Sequence, residues 1–171
     1  MKRPGPIVIT GFMGCGKSKV AQELALRRNV AMVDLDEWIT ARVGRSPAQL
    51  ITEDGESAFR KIESNALRDL LAAREAGVIA LGGGAWIEKA NRDLIDEHGC
   101  TTIWLDTPFA ICWERIAASE EDRPLGRTRE EAEARYQHRK PIYALAHLHI
   151  PVSPDQTVDD IIEILAADLR G

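Results

Sequence analysis

The chain has 171 residues, 44% of them hydrophobic and 29% charged, and carries 22 Lys and Arg against 27 Asp and Glu for a net charge of -5. That length suits one domain with a sizeable core and excludes two full-sized ones, and the composition excludes disordered and collagen-like chains. The acidic balance argues against nucleic acid and anionic membranes as partners, so any basic site must be a local pocket.

In chain order, Met1–Pro6 carries Lys2 and Arg3, but the apolar run behind it reaches Gly11 too soon for a signal peptide. No stretch approaches the roughly 18 apolar residues of a membrane span. Ile7–Ile9 reads as a first strand ending at Gly11. Val30–Val33 reads as a second, leading into Asp34. Between Glu56 and Glu75, the residues Phe59, Ile62, Ala66, Leu70 and Ala73 recur on one helical face. Val78–Leu81 reads as a third strand before three glycines, and Thr102–Leu105 as a fourth before Asp106. Thr107-Pro108 resembles an N-cap followed by proline at the first helical position. A polar stretch opens at Ser119 and runs to about Glu133 with few core residues. His147–Ile150 reads as a fifth strand. Thr157 and Asp160 form a candidate capping box for a last helix striped by Ile161, Ile162, Leu165 and Leu169. Strand–helix alternation of this kind predicts an α/β domain with a parallel sheet, helices on both faces and ligands at the carboxyl ends of the strands.

The strongest local signal is Gly11-Phe12-Met13-Gly14-Cys15-Gly16-Lys17-Ser18, which fits G-x-x-x-x-G-K-[ST] between a strand and a helix. The glycines let backbone N–H groups converge on a phosphate, and the following helix adds its positive N-terminal end. Lys17 is expected to reach the β- and γ-phosphates of a nucleotide, and the Ser18 hydroxyl to take Mg²⁺. No N-K-x-D motif for guanine is present, which favours a small-molecule kinase over a GTPase. In Asp34-Leu35-Asp36, spacing by two puts both carboxylates on one side of an extended chain. One could hold Mg²⁺ through water and the other a substrate hydroxyl; helix capping is the alternative for the pair. Arg60, which Glu63 one turn further on could orient, and Arg139 are candidates for binding a carboxylate. Gly82-Gly83-Gly84 allows a ligand close to the backbone. Cys15, Cys100 and Cys112 are odd in number and lack a CxxC pattern, so they read as reduced thiols in a cytoplasmic protein. The four histidines and four tryptophans read as structural, with Trp38 and Trp86 lying close behind site motifs.

These pieces together resemble shikimate kinase over essentially the whole chain. The resemblance rests on the Gly11–Ser18 loop, Asp34-Leu35-Asp36, Gly44-Arg45-Ser46, Asp54-Gly55-Glu56, Phe59-Arg60-Lys61-Ile62-Glu63, Gly82-Gly83-Gly84, Arg123-Pro124-Leu125, and Arg139 with Pro141 and Tyr143. It implies transfer of the ATP γ-phosphate to the 3-hydroxyl of shikimate, in the pathway to aromatic amino acids. It also implies a three-layer α/β/α P-loop fold with five parallel strands in the order 2-3-1-4-5. On this resemblance Asp36 binds shikimate and acts as base, and Asp34 holds Mg²⁺ through water beside Ser18. Gly14 through Lys19, including Cys15, Gly16 and Lys17, would bind ATP with Arg115 at the adenine. Arg123 would swing onto the phosphates from a lid over residues 119–133. Arg60, Gly82, Gly83, Gly84 and Arg139 would hold shikimate with Asp36, and an acceptor-binding segment is expected over about 34–62. The expected protein is a monomeric single domain over 1–171. Two positions depart from the family pattern: Lys19 replaces a small hydroxyl residue, and Gly126 replaces a leucine, which is expected to loosen the lid. A kinase of gluconate or of nucleoside monophosphates, and an ATP-binding module without catalysis, are the competing readings.

Overall fold

The computed structural model describes residues 5–170. Met1–Pro4, part of the stretch read as no signal peptide, and Gly171 lie outside the described residues. Five parallel strands form one sheet in the order β2-β3-β1-β4-β5, the order implied by the resemblance. They are β1 (Ile7–Thr10), β2 (Met32–Asp34), β3 (Val78–Ala80), β4 (Thr101–Asp106) and β5 (Leu148–Pro151). Helices cover both faces, giving three layers. The central strand β1 is buried at all four positions, and β3 at all three. This is why they read as unbroken apolar runs rather than as alternating ones.

The second strand begins later than the sequence suggests. Val30 is 41% exposed and Ala31 is exposed, so the apolar run overshoots the sheet at that end. At the other edge, β5 alternates as an edge strand should. Its Ile150 faces the core, whereas His149 lies outside, stacks on Trp104 at 4.3 Å and meets Asp106 at 2.8 Å.

The helices are α1 (Lys17–Arg28), α2 (Leu35–Val43), α3 (Pro47–Asp54), α4 (Glu56–Ala73), α5 (Lys89–Glu97), α6 (Phe109–Ala118), α7 (Arg129–Tyr143) and α8 (Val158–Asp168). The Thr157–Asp160 capping box forms, with both reciprocal bonds present. Ser46 and Gln49 form a second box with Pro47 at the first position, which opens α3 sharply. Thr107 does not cap α6. The helix begins at Phe109 after Pro108, and the Thr107 hydroxyl instead donates to the Cys15 carbonyl at 2.9 Å. The buried stripe of α4 also differs from the expected one. Phe59, Glu63, Ala66, Leu67, Leu70 and Leu71 are buried, while Ala73 is exposed. Residues 119–128 form no helix; Thr128 then caps α7, so the expected 119–133 segment includes the first turn of that helix.

Candidate active site

The segments that leave the carboxyl ends of β1, β2 and β3 line one cavity of about 1000 Å³, at the large end for a small-molecule site. It sits where a parallel sheet flanked by helices presents its strand ends.

After β1 the chain turns through Gly11–Gly16. Gly14 and Gly16 hold φ of 76° and 100°, left-handed values that a side chain would strain. Gly16 is the N-cap of α1, and no side chain caps that helix. Its first-turn N–H groups are therefore left for an anion. The Lys17 ammonium donates to the carbonyls of Gly11 and Phe12 at 2.9 and 3.0 Å, which holds it folded over the loop. Cys15 is buried, with its sulfur 3.8 Å from Lys17 Nζ.

The Ser18 hydroxyl donates to Asp34 Oδ2 at 2.7 Å. The other Asp34 oxygen, Oδ1, accepts from the backbone N–H groups of Asp36 and Glu37 at 3.0 and 3.3 Å and caps α2. Asp34 thus caps α2 with one oxygen, the alternative weighed for the acidic pair, and meets Ser18 with the other. A hydroxyl and a carboxylate side by side at a phosphate loop are a donor set that suits Mg²⁺.

Asp36 is the second residue of α2 and faces Gly82. A Cβ on Gly82 would stand 2.8 Å from Asp36 Oδ1 and 3.2 Å from Glu63 Oε2, so glycine leaves the space that both carboxyls occupy. Burial, reinforced by the Asp34 charge, pushes Asp36 up to about 6, against the pull of Lys17, Arg60 and Arg123. Burial likewise pushes Glu63 up to about 7, although Arg60 opposes it. Glu63 Oε1 accepts from Arg60 Nη1 at 2.8 Å, while Oε2 is buried without a partner.

The two arginines differ in their company. Arg60 also reaches Glu56 at 3.3 Å; burial disfavours its charge, but the two glutamates outweigh burial and leave it more basic than usual. Arg139 is only 6% exposed and forms no ion pair among the described residues. Burial lowers its basicity, with the Tyr143 hydroxyl offsetting part of the effect. Tyr143 is itself buried and donates to the Gly83 carbonyl. The glycine run fits around these groups: a Cβ on Gly83 would lie 3.4 Å from Arg139 Nη1, and one on Gly84 would fall within 3.0 Å of the Arg60 guanidinium.

Asp36, Arg60, Gly82, Gly83, Gly84, Arg123 and Arg139 therefore share one cavity, with Met13 of the phosphate loop on its wall. Arg123 pairs with Glu121 at 2.9 Å, and its Nε is buried without an acceptor. Arg115 lies to the side and donates to the Gly14 carbonyl at 3.1 Å. Lys19 is exposed on the first turn of α1, and neither it nor Arg115 lines the cavity. Gly126 is buried, and a Cβ there would come 3.0 Å from the Met13 methyl, so this departure from the family pattern packs the segment close onto the phosphate loop.

The shikimate kinase family profile matches residues 13–169. The chain belongs to the shikimate kinase family. It is 36% identical to a shikimate kinase of Salinibacter ruber over 96% of this chain and 87% of that one. It is 35% identical to that of Persephonella marina over 91% and 96%. Among solved structures, shikimate kinase from Acinetobacter baumannii in complex with shikimate superposes with a TM-score of 0.85 at 27% identity, covering 99% of this chain and 95% of that one.

Gly83 lies between the phosphate loop and Arg139: a Cβ on it would stand 3.4 Å from Arg139 Nη1 and 3.9 Å from the Gly11 carbonyl oxygen, which accepts from Lys17. Sequence reasoning gave Glu63 only the task of orienting Arg60. Its four-residue spacing from Phe59 was the signal that it turns inward with the buried stripe. No sequence pattern signals that Tyr143 ties α7 to Gly83, because that contact crosses 60 residues.

Proposed function

We propose that the kinase binds ATP on Gly11–Ser18 and shikimate between Asp36, Arg60, Arg139 and the Gly82–Gly84 backbone, with Asp36 as the general base. The observation that carries this reading is Arg139, a buried guanidinium with no carboxylate partner among the described residues. An unpaired buried charge is costly, so the site gains most from a ligand that brings its own anion. Arg60, held in place by Glu63 and Glu56, would complete a two-arginine grip on the shikimate carboxylate.

With the acid end fixed, the ring hydroxyls would face Asp36. In the transfer, the 3-hydroxyl oxygen forms a bond to the γ-phosphorus, the bond from that phosphorus to the β–γ bridging oxygen breaks, and ADP leaves. Asp36 Oδ1 takes the hydroxyl proton. Ser18 and Asp34 would hold Mg²⁺, which neutralises phosphate charge when bound. Lys17, now folded onto the loop carbonyls, would turn to the β- and γ-phosphates. Arg123 would exchange Glu121 for the γ-phosphate, with residues 119–133 acting as a lid that excludes water. Arg115 would flank the adenine beside Gly14. Three free and buried cysteines suit a reducing cytoplasm. Among the described residues no helix is long and apolar enough to cross a membrane.

The test is ADP release with shikimate, gluconate and nucleoside monophosphates offered in turn. Release driven by shikimate alone is expected. Release driven by gluconate instead would move the carboxylate grip to another acid. No acceptor-dependent release would favour a binding module.

A further inference from the structure

Arg135 lies on α7, one turn before Arg139, and belongs to none of the site motifs. It does not line the cavity, yet it touches both halves of the site. Its Nε donates to the backbone carbonyl of Leu125 at 2.9 Å. Its Nη1 lies 3.7 Å from Glu56 Oε1. That same oxygen accepts from Arg60 Nη2 at 3.3 Å. Leu125 is two residues beyond Arg123, and both line the cavity. A continuous chain of polar contacts therefore runs from the 119–128 segment through Arg135 and Glu56 to Arg60.

We propose that Arg135 is a positioning residue that couples the nucleotide-side segment to the acceptor-binding arginine, so that filling one half of the site sets the other. The proposal rests on the assignment of Arg123 to nucleotide and Arg60 to acceptor. A guanidinium presents five donors in a rigid fork, so one side chain can serve a carbonyl and a carboxylate together. Glu56 divides its charge between two cations. When the segment shifts and Leu125 moves, Arg135 must follow or release it. Either response changes the share of the Glu56 charge that holds Arg60. Linkage makes the effect reciprocal: nucleotide must change shikimate affinity by the factor by which shikimate changes nucleotide affinity. Arg135 and Glu56 keep side-chain exposures of 31% and 43%, so solvent screens the pair and the coupling it carries is modest.

The experiment is titration calorimetry of shikimate with and without a nonhydrolysable ATP analogue. It compares the parent, Arg135→Leu, Arg135→Lys, Glu56→Gln and the Arg135→Leu/Glu56→Gln double variant. The ratio of the two shikimate dissociation constants is the readout. Arg135→Leu should bind each ligand alone within about twofold of the parent while its ratio moves about two- to fivefold toward one. Lysine keeps the charge but lacks the spaced fork of the guanidinium, so it should recover part of the ratio. In the double variant the ratio should match that of Glu56→Gln alone, because both changes cut one path. An unchanged ratio in Arg135→Leu would overturn the proposal. So would an equal loss of both affinities with a lowered melting temperature, since that marks a structural residue. A parent that binds the analogue but not shikimate would overturn the functional reading and this proposal with it, which separates the two failures.

Discussion

Gly84→Ala isolates the acceptor grip by a single methyl group. The backbone there, at φ -109° and ψ -10°, is one that alanine adopts freely, so strain plays no part. The new Cβ would fall within 3.0 Å of the Arg60 guanidinium, closer than real Cβ contacts. The neighbour that must move is the end of a long side chain, so the fold should survive with little loss of stability. The guanidinium cannot move freely, however. It is held at 2.8 Å by Glu63, which is 1% exposed, and at 3.3 Å by Glu56. On the proposed grip, displacing it would remove its bonds to the shikimate carboxylate. A charge-assisted hydrogen bond contributes about 1.5–3 kcal/mol, which corresponds to a rise in the shikimate KM of roughly 10- to 150-fold. The assay is ADP release with shikimate and ATP varied separately, alongside thermal melting. The ATP KM should stay within about threefold, since Gly84 lies on the acceptor side. A parent-like shikimate KM would refute the placement of Arg60, and equal rises for both substrates would place it outside the acceptor site.

Asp36→Asn should lower turnover by roughly 10²- to 10⁴-fold and leave nucleotide affinity unchanged; parent-like turnover would refute the base. The parent should also lose kcat/KM for shikimate as pH falls below the Asp36 value of about 6, because the protonated carboxyl cannot accept the hydroxyl proton; a profile flat through that region would count against the assignment. Stability should run the other way. Asp36 and Glu63 move from 3.8 and 4.5 unfolded to about 6 and about 7 folded, so the native state holds more protons between those values. Their stabilisation is complete below the unfolded values and is lost as pH rises through about 6 and 7. Melting temperatures of the parent should therefore fall relative to Asp36→Asn/Glu63→Gln across that window, and parallel curves would refute the raised values. Gly126→Leu should cost about 1–3 kcal/mol in urea unfolding, since its Cβ alone would meet the Met13 methyl at 3.0 Å; an unchanged midpoint would mean that the segment moves aside freely.

The legible parts of this protein were those whose physics is local. Gly11–Ser18 needs its glycines for dihedral reasons. The spacing of Asp34 and Asp36 assumes an extended chain, whereas α2 begins at Leu35 and only Asp36 lines the cavity. The strands β1, β3 and β4 show as apolar runs because both of their faces are covered. The misreadings arose where tertiary partners override a local signal. Thr107 precedes a proline as an N-cap would, yet its hydroxyl serves the Cys15 carbonyl across 92 residues. Val30 extends an apolar run but stands beyond the sheet edge. Gly126 reads locally as a loosening residue, and the folded chain adds that it lies close to Met13. Arg135 carries no motif, and its two partners lie in segments that only the folded chain brings together.

The net charge of -5 hides an arrangement that favours acids. Arg60 is already balanced by Glu63 and Glu56, so its charge is largely spent on fixing its own position. Arg139 has no such balance, and burial makes its charge costly. Asp36 and Glu63 are acids that burial keeps partly protonated near neutral pH. The cavity thus offers an uncompensated cation at Arg139 and a carboxylate made more basic by burial at Asp36. An acceptor that carries a carboxylate and a hydroxyl would satisfy both groups in one orientation, with the hydroxyl at Asp36. A neutral polyol satisfies Asp36 but leaves Arg139 buried and unpaired, and a site built around a polar group strongly rejects ligands that lack its partner. On the proposed reading, selectivity for an acid would follow from the penalty of leaving Arg139 unpaired as much as from the bonds that shikimate would make.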